Sequence, residues 1–254
     1  MRTIVRTGAV AAALALPLAG CGLLPQAAPS GSSTSPPTSQ GAADQSGEDL
    51  GTLTGAGRPL DEGGLRAALP APADLGDGWE DDPMKTIFET AGADVTPATC
   101  APLLQKGPEW EEAKKSQRAR VQTNLKRSDN PPPPGTERHF LGVWAYSFDD
   151  PYPVHLFDEA GARIADCPNF DVRQVDTGST SSYAASPLSF PTLGDRTFAL
   201  RMQVQQTYET FTIDFVMIKI GHNTISVANS TYNGTPDAAV TEKAARAALA
   251  GLEE

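Results

Sequence analysis

The clearest alternation of hydrophobic and polar positions lies in the last third of the chain. In 198–205, apolar side chains alternate with arginine and glutamine, which predicts a strand with one face in water. In 211–220, the first half alternates and the second half is apolar on both faces, as in a central strand covered by helices. A tight turn at 221–223 precedes a third predicted strand over 224–231. These segments predict neighbouring antiparallel strands.

Further strands are predicted upstream. Residues 118–126 alternate, and the members of one side are Ala119, Val121, Thr123 and Leu125. The next predicted strand places four aromatic residues on one face: Phe140, Trp144, Tyr146 and Phe148. We interpret this face as core rather than as a ligand platform, because aromatic side chains dominate protein cores. Shorter strands are predicted over 170–175 and 183–190, whereas 73–79 and 130–135 are predicted as loops.

Helical spacing of apolar residues marks two longer segments. The first follows the helix-start signal at 149–151 and ends at Cys167, with an apolar stripe of Val154, Phe157, Ala160 and Ile164. The second starts at 235–237 with a capping hydroxyl, and its predicted buried stripe is Val240, Ala244, Ala247, Ala248 and Leu252. Short helices are predicted over 65–70, 97–105 and 109–117. The predicted fold class is therefore α+β, an antiparallel β-sheet covered by helices.

The first twenty-one residues have the composition of a secretory signal. Arg2 and Arg6 precede an apolar run over 7–18, which is too short to span a membrane. The sequence Leu-Ala-Gly-Cys that ends at Cys21 is similar to the lipobox of bacterial lipoproteins. That resemblance implies cleavage before Cys21, acylation of its thiol by chains such as palmitate, and anchoring on the outer face of the cytoplasmic membrane. The alternative is a secreted protein with a chance cysteine there.

Residues after the signal are rich in glycine, serine, threonine, proline and alanine up to about Gly57. Such a composition offers too little apolar surface to offset the entropy of ordering, which predicts a disordered, flexible tether. We therefore divide the chain into a signal peptide (1–20), a lipidated cysteine with its tether (21–59) and a globular domain (60–254). A tether of about 35 residues would span roughly 30–35 Å on average.

The chain is acidic, with a formal net charge of −11. Removal of the signal takes away two basic residues and no acid, so 18 basic and 31 acidic residues give −13. This charge argues against nucleic acid as a partner, because phosphates would be repelled. It equally argues against docking of the protein surface on anionic lipid, so the predicted membrane partner is reached through the N-terminal lipid alone.

If Cys21 carries lipid, Cys100 and Cys167 remain as an even pair. Outside the cytoplasm such a pair is expected to form a disulfide, which would stabilise the domain by about 4 kcal/mol through loop closure. Two free thiols or a metal pair are the alternatives. No C-x-x-C motif occurs, and His139, His155 and His222 are not at ligand spacing from either cysteine, so we favour the disulfide.

Motifs that carry chemistry are missing from the sequence. It contains no G-x-S-x-G elbow, H-E-x-x-H, Walker loop or EF-hand pattern, and no kinase H-R-D or D-F-G. Each histidine has a simpler interpretation, since His155 lies on a helix flank, His222 in a turn and His139 before a strand. The acidic run 80–82 is interpreted as a solvated loop. We predict a non-enzymatic protein with no cofactor and no metal.

The order of features along the chain resembles a known family. The features are, in order, a loop over 75–79, Cys100 on a short helix, a helix ending at Cys167, and the segment 186–195 before three strands and an alanine-rich helix. This order is similar to that in cell-surface lipoproteins related to the extracellular sensor domain of PknH-type serine/threonine kinases. The resemblance implies a helix-covered antiparallel sheet with a ligand cleft outside the cell. That sensor domain has two disulfides and this chain can form one, so cleft residues are not carried over and the ligand-binding residues stay unassigned.

Three functions are compatible with these features. The first is binding of an envelope ligand, such as a small molecule, lipid or glycan, or sensing of an external signal. The second is docking on a membrane protein partner. The third is an unrecognised cell-wall hydrolase, which requires a Ser, His and Asp to meet in a cleft. We favour the first, because the predicted anchor, tether and disulfide accompany no catalytic motif.

Overall fold

The computed structural model describes residues 55–83, 92–129, 135–205 and 209–253. Among them, nine strands form one antiparallel sheet with the order β1-β3-β4-β9-β8-β7-β6-β5-β2. The strands are β1 (Trp79–Asp81), β2 (Ala93–Thr96), β3 (Gln117–Arg127), β4 (Arg138–Phe148), β5 (Asn169–Gln174), β6 (Thr180–Pro187), β7 (Arg196–Gln205), β8 (Thr210–Ile220) and β9 (Asn223–Tyr232). The predicted signal, the tether up to 54 and most of the proline-rich loop lie outside these residues.

Helices cover both faces of the sheet. The α-helices are α1 (Glu62–Ala67), α2 (Pro72–Leu75), α3 (Pro108–Lys114), α4 (Val154–Asp166) and α5 (Ala238–Glu253). Two 3-10 helices cover Gly55–Gly57 and Ala98–Leu104. Among the described residues, no helix is long and apolar enough to cross a bilayer. The predicted α+β architecture of an antiparallel sheet covered by helices is therefore confirmed.

Each face of the sheet has its own hydrophobic core. What we call the disulfide face packs against α4 and the 3-10 helix Ala98–Leu104, which the Cys100–Cys167 disulfide joins at a sequence separation of 67. The opposite face packs against α1, α2 and α5. The central strand β8 contributes to both, since Ile213 and Met217 belong to the first core and Val216 and Ile218 to the second. The predicted disulfide and the two-sided burial of this strand are confirmed.

Residues 55–59, which the sequence-based division places in the tether, are described and contact the sheet. The N–H of His222 donates to the carbonyl of Gly57 (2.9 Å), and the Asn223 side chain donates to the carbonyl of Ala56 (2.7 Å). Gly221 has φ +56°, and a Cβ there would fall on the Gly57 carbonyl. The turn between β8 and β9 therefore holds the start of the domain, a long-range contact that composition does not reveal.

Local details differ from the sequence-based predictions at several positions, of which three follow. The predicted loop over 73–79 contains the end of α2 and the first residue of β1, because Pro72 starts a helix whose Leu75 is buried. The strand predicted over 183–190 ends at Pro187. In α5 the buried stripe includes Thr241 and Ala245, whereas Val240 and Ala247 are half-buried. The amide of buried Asn229 donates to the Thr241 hydroxyl (3.0 Å), which draws this polar position inward.

Candidate functional site

A cleft of about 410 Å³ lies on the disulfide face of the sheet. Its floor is built by side chains of β4, β7, β8 and β9, and its wall by the 3-10 helix Ala98–Leu104, the residues after it, α3 and Tyr152. The apolar floor includes Trp144, Phe148, Met202, Ile213, Phe215 and Met217. The volume falls within the range of about 300–1,000 Å³ that small-molecule sites occupy.

The floor follows from strand periodicity. Alternate residues of β4 point to the same side, so Trp144, Tyr146 and Phe148 share the disulfide face. The rings of Tyr146 and Phe148 are stacked with centroids 6.4 Å apart, and those of Phe148 and Tyr152 lie 4.6 Å apart. Burial raises the pKa of the Tyr152 phenol, which stays neutral at physiological pH. Trp144 and Phe148 are buried in the core, as predicted, whereas Tyr146 is half-buried beside them, and all three also line the cleft.

The wall depends on a sharp reversal of the chain after the 3-10 helix. Gln105 has φ 55°, and its N–H donates to the carbonyl of Pro102 (3.0 Å), which ends the helix. Gly107, with φ 122°, then leads directly into α3, where Trp110 is buried against the core. The disulfide at Cys100 fastens this wall to the end of α4.

Two hydroxyl groups are buried among the cleft residues of β9. Thr224 pairs with Tyr146 across the strands, and Ser226 pairs with Trp144, so both side chains face the disulfide side. Their exposed fractions are 1% and 4%. Neither hydroxyl oxygen has a hydrogen-bond partner among the described residues. An unpaired buried hydroxyl costs about 1–3 kcal/mol, so these positions favour a bound polar group as partner.

Three cations and one acid lie at the rim of the cleft among the described residues. Lys106 donates to the carbonyl of Ala93 (2.7 Å). Lys114 donates to the carbonyl of Gln105 (3.1 Å) and to the Glu111 carboxylate (2.8 Å). The third cation, the Arg120 guanidinium, lies 5.6 Å from the centre of the Tyr146 ring, within range of a cation–π contact. This rim is locally basic although the chain as a whole is acidic.

The surroundings of Lys106 disfavour the protonated form of its side chain. Partial burial lowers the pKa of its ammonium group, and the neighbouring charge of Lys114 lowers it further. Glu111 and Asp94 act in the opposite direction without cancelling the effect. A negative charge beside Lys106 would therefore stabilise its protonated form.

The three histidines lie apart from one another. The His155 ring is 2.9 Å from the exposed Glu109 carboxylate, and the His222 ring contacts the carbonyl of Phe148 (3.0 Å). The His139 ring lies 3.2 Å from the Thr231 hydroxyl. None of these rings is among the residues that line the cleft described above. Their contacts agree with the interpretation of the histidines as flanking and turn residues.

The acidic run 80–82 is partly structured. Glu80 lies in the edge strand β1 and pairs with Lys126 (3.3 Å), and Asp82 is buried. Within 55–83, 92–129, 135–205 and 209–253, no cluster of histidine, cysteine or acidic residues has an arrangement that could hold a metal ion. Cys21, the predicted lipidation site, lies outside the described residues.

With this geometry established, comparison with solved structures shows what the fold is similar to. The structure matches the extracellular domain of PknH from Mycobacterium tuberculosis with a TM-score of 0.51 and 12% sequence identity, over 76% of this chain and 98% of that one. The two proteins share a fold. An uncharacterized protein from Mycobacterium smegmatis, the Rv0999 ortholog, matches at a TM-score of 0.41 and 15% identity over 72% of this chain and 96% of that one. No family model and no curated protein matches the sequence.

Sequence reasoning missed most of the cleft. The signal for its floor was present in β4, but the rim residues Lys106 and Lys114 looked like ordinary solvated lysines. Thr224 and Ser226 looked like ordinary strand residues. Their common location depends on strand order and on the disulfide-fastened wall, which are long-range features of the fold.

Proposed function

We propose that this protein is a non-enzymatic, extracytoplasmic binding domain that takes up an envelope ligand in the cleft on the disulfide face. The observation that carries the proposal is the cleft itself, in which an apolar floor surrounds two buried hydroxyls that have no hydrogen-bond partner in the part of the chain that the structure describes. Ligand sites combine a mostly apolar lining with a few oriented polar groups in this way.

The fold and the N-terminal sequence support this location. The shared fold with an extracellular domain is compatible with a domain that works outside the cytoplasm. The signal-like segment, the lipobox-like ending at Cys21 and the low-complexity tether suit a chain held at the membrane's outer face by lipid. Replacement of Cys21 by serine should release the protein from the membrane fraction, and retention of the variant would contradict lipid anchoring.

Docking on a membrane protein is less well supported. The centre of a protein interface is usually apolar. Among the described residues, however, Val175 is the only large hydrophobic side chain that is strongly exposed. The hydrolase hypothesis would need a histidine beside a nucleophile in the cleft, and the histidine contacts described above lie elsewhere. Ligand binding therefore remains the function that we favour.

The proposal is tested by thermal melting of the unacylated mature chain, residues 21–254 with Cys21→Ser, against envelope lipids, muropeptides and glycans. A ligand at a hundredfold excess over its Kd stabilises the folded state by about 2.7 kcal/mol. Tyr146→Ala should reduce the shift because Tyr146 lines the cleft.

The matched control is Tyr232→Ala. Tyr232 is also half-buried and packs on the core of the same face, but it is not among the residues lining the cleft. Its loss should leave the ligand-induced shift unchanged. The proposal fails if no compound shifts the melting temperature, or if the two variants reduce the shift equally.

A further inference from the structure

We infer that the ligand of the cleft is an anionic amphiphile, with one acidic group at the basic rim and one hydrocarbon chain against the apolar floor. This inference rests on the proposed function and names the chemical class that the site accepts. It follows from the charge of the rim, the composition of the floor and the size of the cleft.

The charge of the rim is opposite to that of the protein. Lys106, Lys114 and Arg120 line the cleft with Glu111 as the accompanying acid, whereas the whole chain has a net charge of −11. An anion is therefore attracted to this rim and repelled by most of the remaining surface. A neutral or cationic ligand would gain nothing from this arrangement.

The rim lysines have the donors that an anion requires. An ammonium group has three N–H donors, and Lys106 uses one in its bond to the Ala93 carbonyl. Lys114 uses two, to Gln105 and Glu111. A carboxylate or phosphate can therefore approach without displacing these bonds. It would also relieve the repulsion between the two ammonium groups.

The floor suits a flexible hydrocarbon chain. Met202 and Met217 contribute unbranched, adaptable side chains, and Ile213, Leu103 and Leu104 complete an aliphatic lining. Glycans and nucleotides present many hydroxyls or charges along their length. Among the described residues, the floor has two buried hydroxyls, at Thr224 and Ser226, so a ligand with few polar groups fits it better.

The size of the cleft favours one chain over several. A volume of about 410 Å³ lies toward the lower end of the range for small-molecule sites. A long-chain carboxylate and a single-chain lipid phosphate share the required chemistry. Dodecanoate and monododecyl phosphate represent these two sources and can be compared directly.

The experiment measures binding to the mature chain (21–254, Cys21→Ser) by fluorescence, since Trp144 lies in the floor. Dodecanoate, monododecyl phosphate and dodecanol are titrated in parallel. The two anionic probes differ in headgroup, and dodecanol has the same chain without the charge. We expect at least one anionic probe to bind at least tenfold more tightly than dodecanol, and the tighter of the two identifies the headgroup.

The matched variants are Lys114→Gln and Lys115→Gln, which change neighbouring residues. Lys114 lines the cleft, whereas Lys115 pairs with Glu112 and does not line it. Lys114→Gln, alone or with Lys106→Gln, should weaken binding of the anionic probe at least tenfold and leave dodecanol unaffected. Lys115→Gln should change neither.

Three results would overturn the inference and leave the proposed function intact. The first is equal affinity for dodecanol and both anionic probes, and the second is equal loss of affinity in Lys114→Gln and Lys115→Gln. Binding of a glycan or muropeptide in the cleft, sensitive to Tyr146→Ala, with no binding of any dodecyl probe would do the same. Absence of binding by every compound would refute both proposals.

Discussion

Removal of the disulfide tests the role of the cleft wall in the stability of the domain. Cys100 and Cys167 have a sequence separation of 67, and their exposed fractions are 0% and 1%. The cross-link restricts the unfolded chain, and a loop of this length corresponds to about 4 kcal/mol in the chain-entropy relation. Replacement of both cysteines by alanine should lower the free energy of unfolding by about that amount.

The assay is thermal and urea unfolding of the double alanine variant beside the oxidised and the reduced wild-type protein. For a domain of this size, 1 kcal/mol corresponds to roughly 2–4 °C in Tm, so a fall of about 8–16 °C is expected. The reduced wild-type protein has the same open loop without a substitution, and it should melt close to the variant. If both melt within about 2 °C of the oxidised protein, the loop-closure reasoning is wrong.

The same variant separates stability from binding. The disulfide fastens the 3-10 helix Ala98–Leu104 to α4, and this helix forms part of the cleft wall. We expect ligand affinity to decline in the variant at temperatures where it is still folded. Unchanged affinity would mean that packing of Leu103 and Trp110 is sufficient to hold the wall.

The remaining predictions concern buried polar groups and the rim. Thr224→Val should raise the free energy of unfolding by up to about 1 kcal/mol, because it removes an unpaired buried hydroxyl. By contrast, Ser147→Ala should lower the free energy of unfolding by about 1–3 kcal/mol, because the Ser147 hydroxyl accepts a buried backbone N–H (2.7 Å); equal effects in urea unfolding would contradict this difference. Arg201→Met should destabilise the domain by about 3–5 kcal/mol, because it removes the cation beside the Asp214 carboxylate, whose side chain is 0% exposed. Asp214→Leu should cost less, because the Arg201 side chain is 27% exposed and its charge remains in contact with water. The reverse order in denaturant melts would refute the reasoning. Because burial lowers the pKa of Lys106 below its ordinary 10.5, affinity for dodecanoate should fall as pH rises toward that value, whereas a pH-independent affinity in titrations would contradict the role of this charge.

The strands were the most predictable part of the fold. In β7, alternation depends on local sequence and on one buried face, so this strand and its inward residues follow from the pattern alone. In β4, which is buried on both faces, the pattern still indicates the strand and its aromatic face. The stripe of α5 was less predictable, because Thr241 is buried by a hydrogen bond from Asn229 on β9. No periodicity within a helix indicates a partner on another element.

The cleft was also hard to predict, because it depends on contacts between elements that are distant in the sequence. Trp144 and Tyr146 were assigned to one face, but a cleft forms there only because the wall leaves this part of the sheet partly uncovered. The lysine at 114 is distinguished from that at 115 only by the orientation of α3, which buried Trp110 determines. Rim chemistry therefore required the tertiary structure.

The second core joins the two ends of the domain. Leu65 of α1 packs in the same cluster as Ala248 and Leu252 of α5, and a Cβ at Gly251 would fall on the Ala67 carbonyl. The hydrophobic residues of this face stay exposed to water until α5 has packed against the sheet. If the chain is exported, as we propose, completion of folding must wait until its last residues have crossed the membrane. Such a delay would keep the polypeptide competent for translocation, and truncations that remove α5 should prevent completion of the fold.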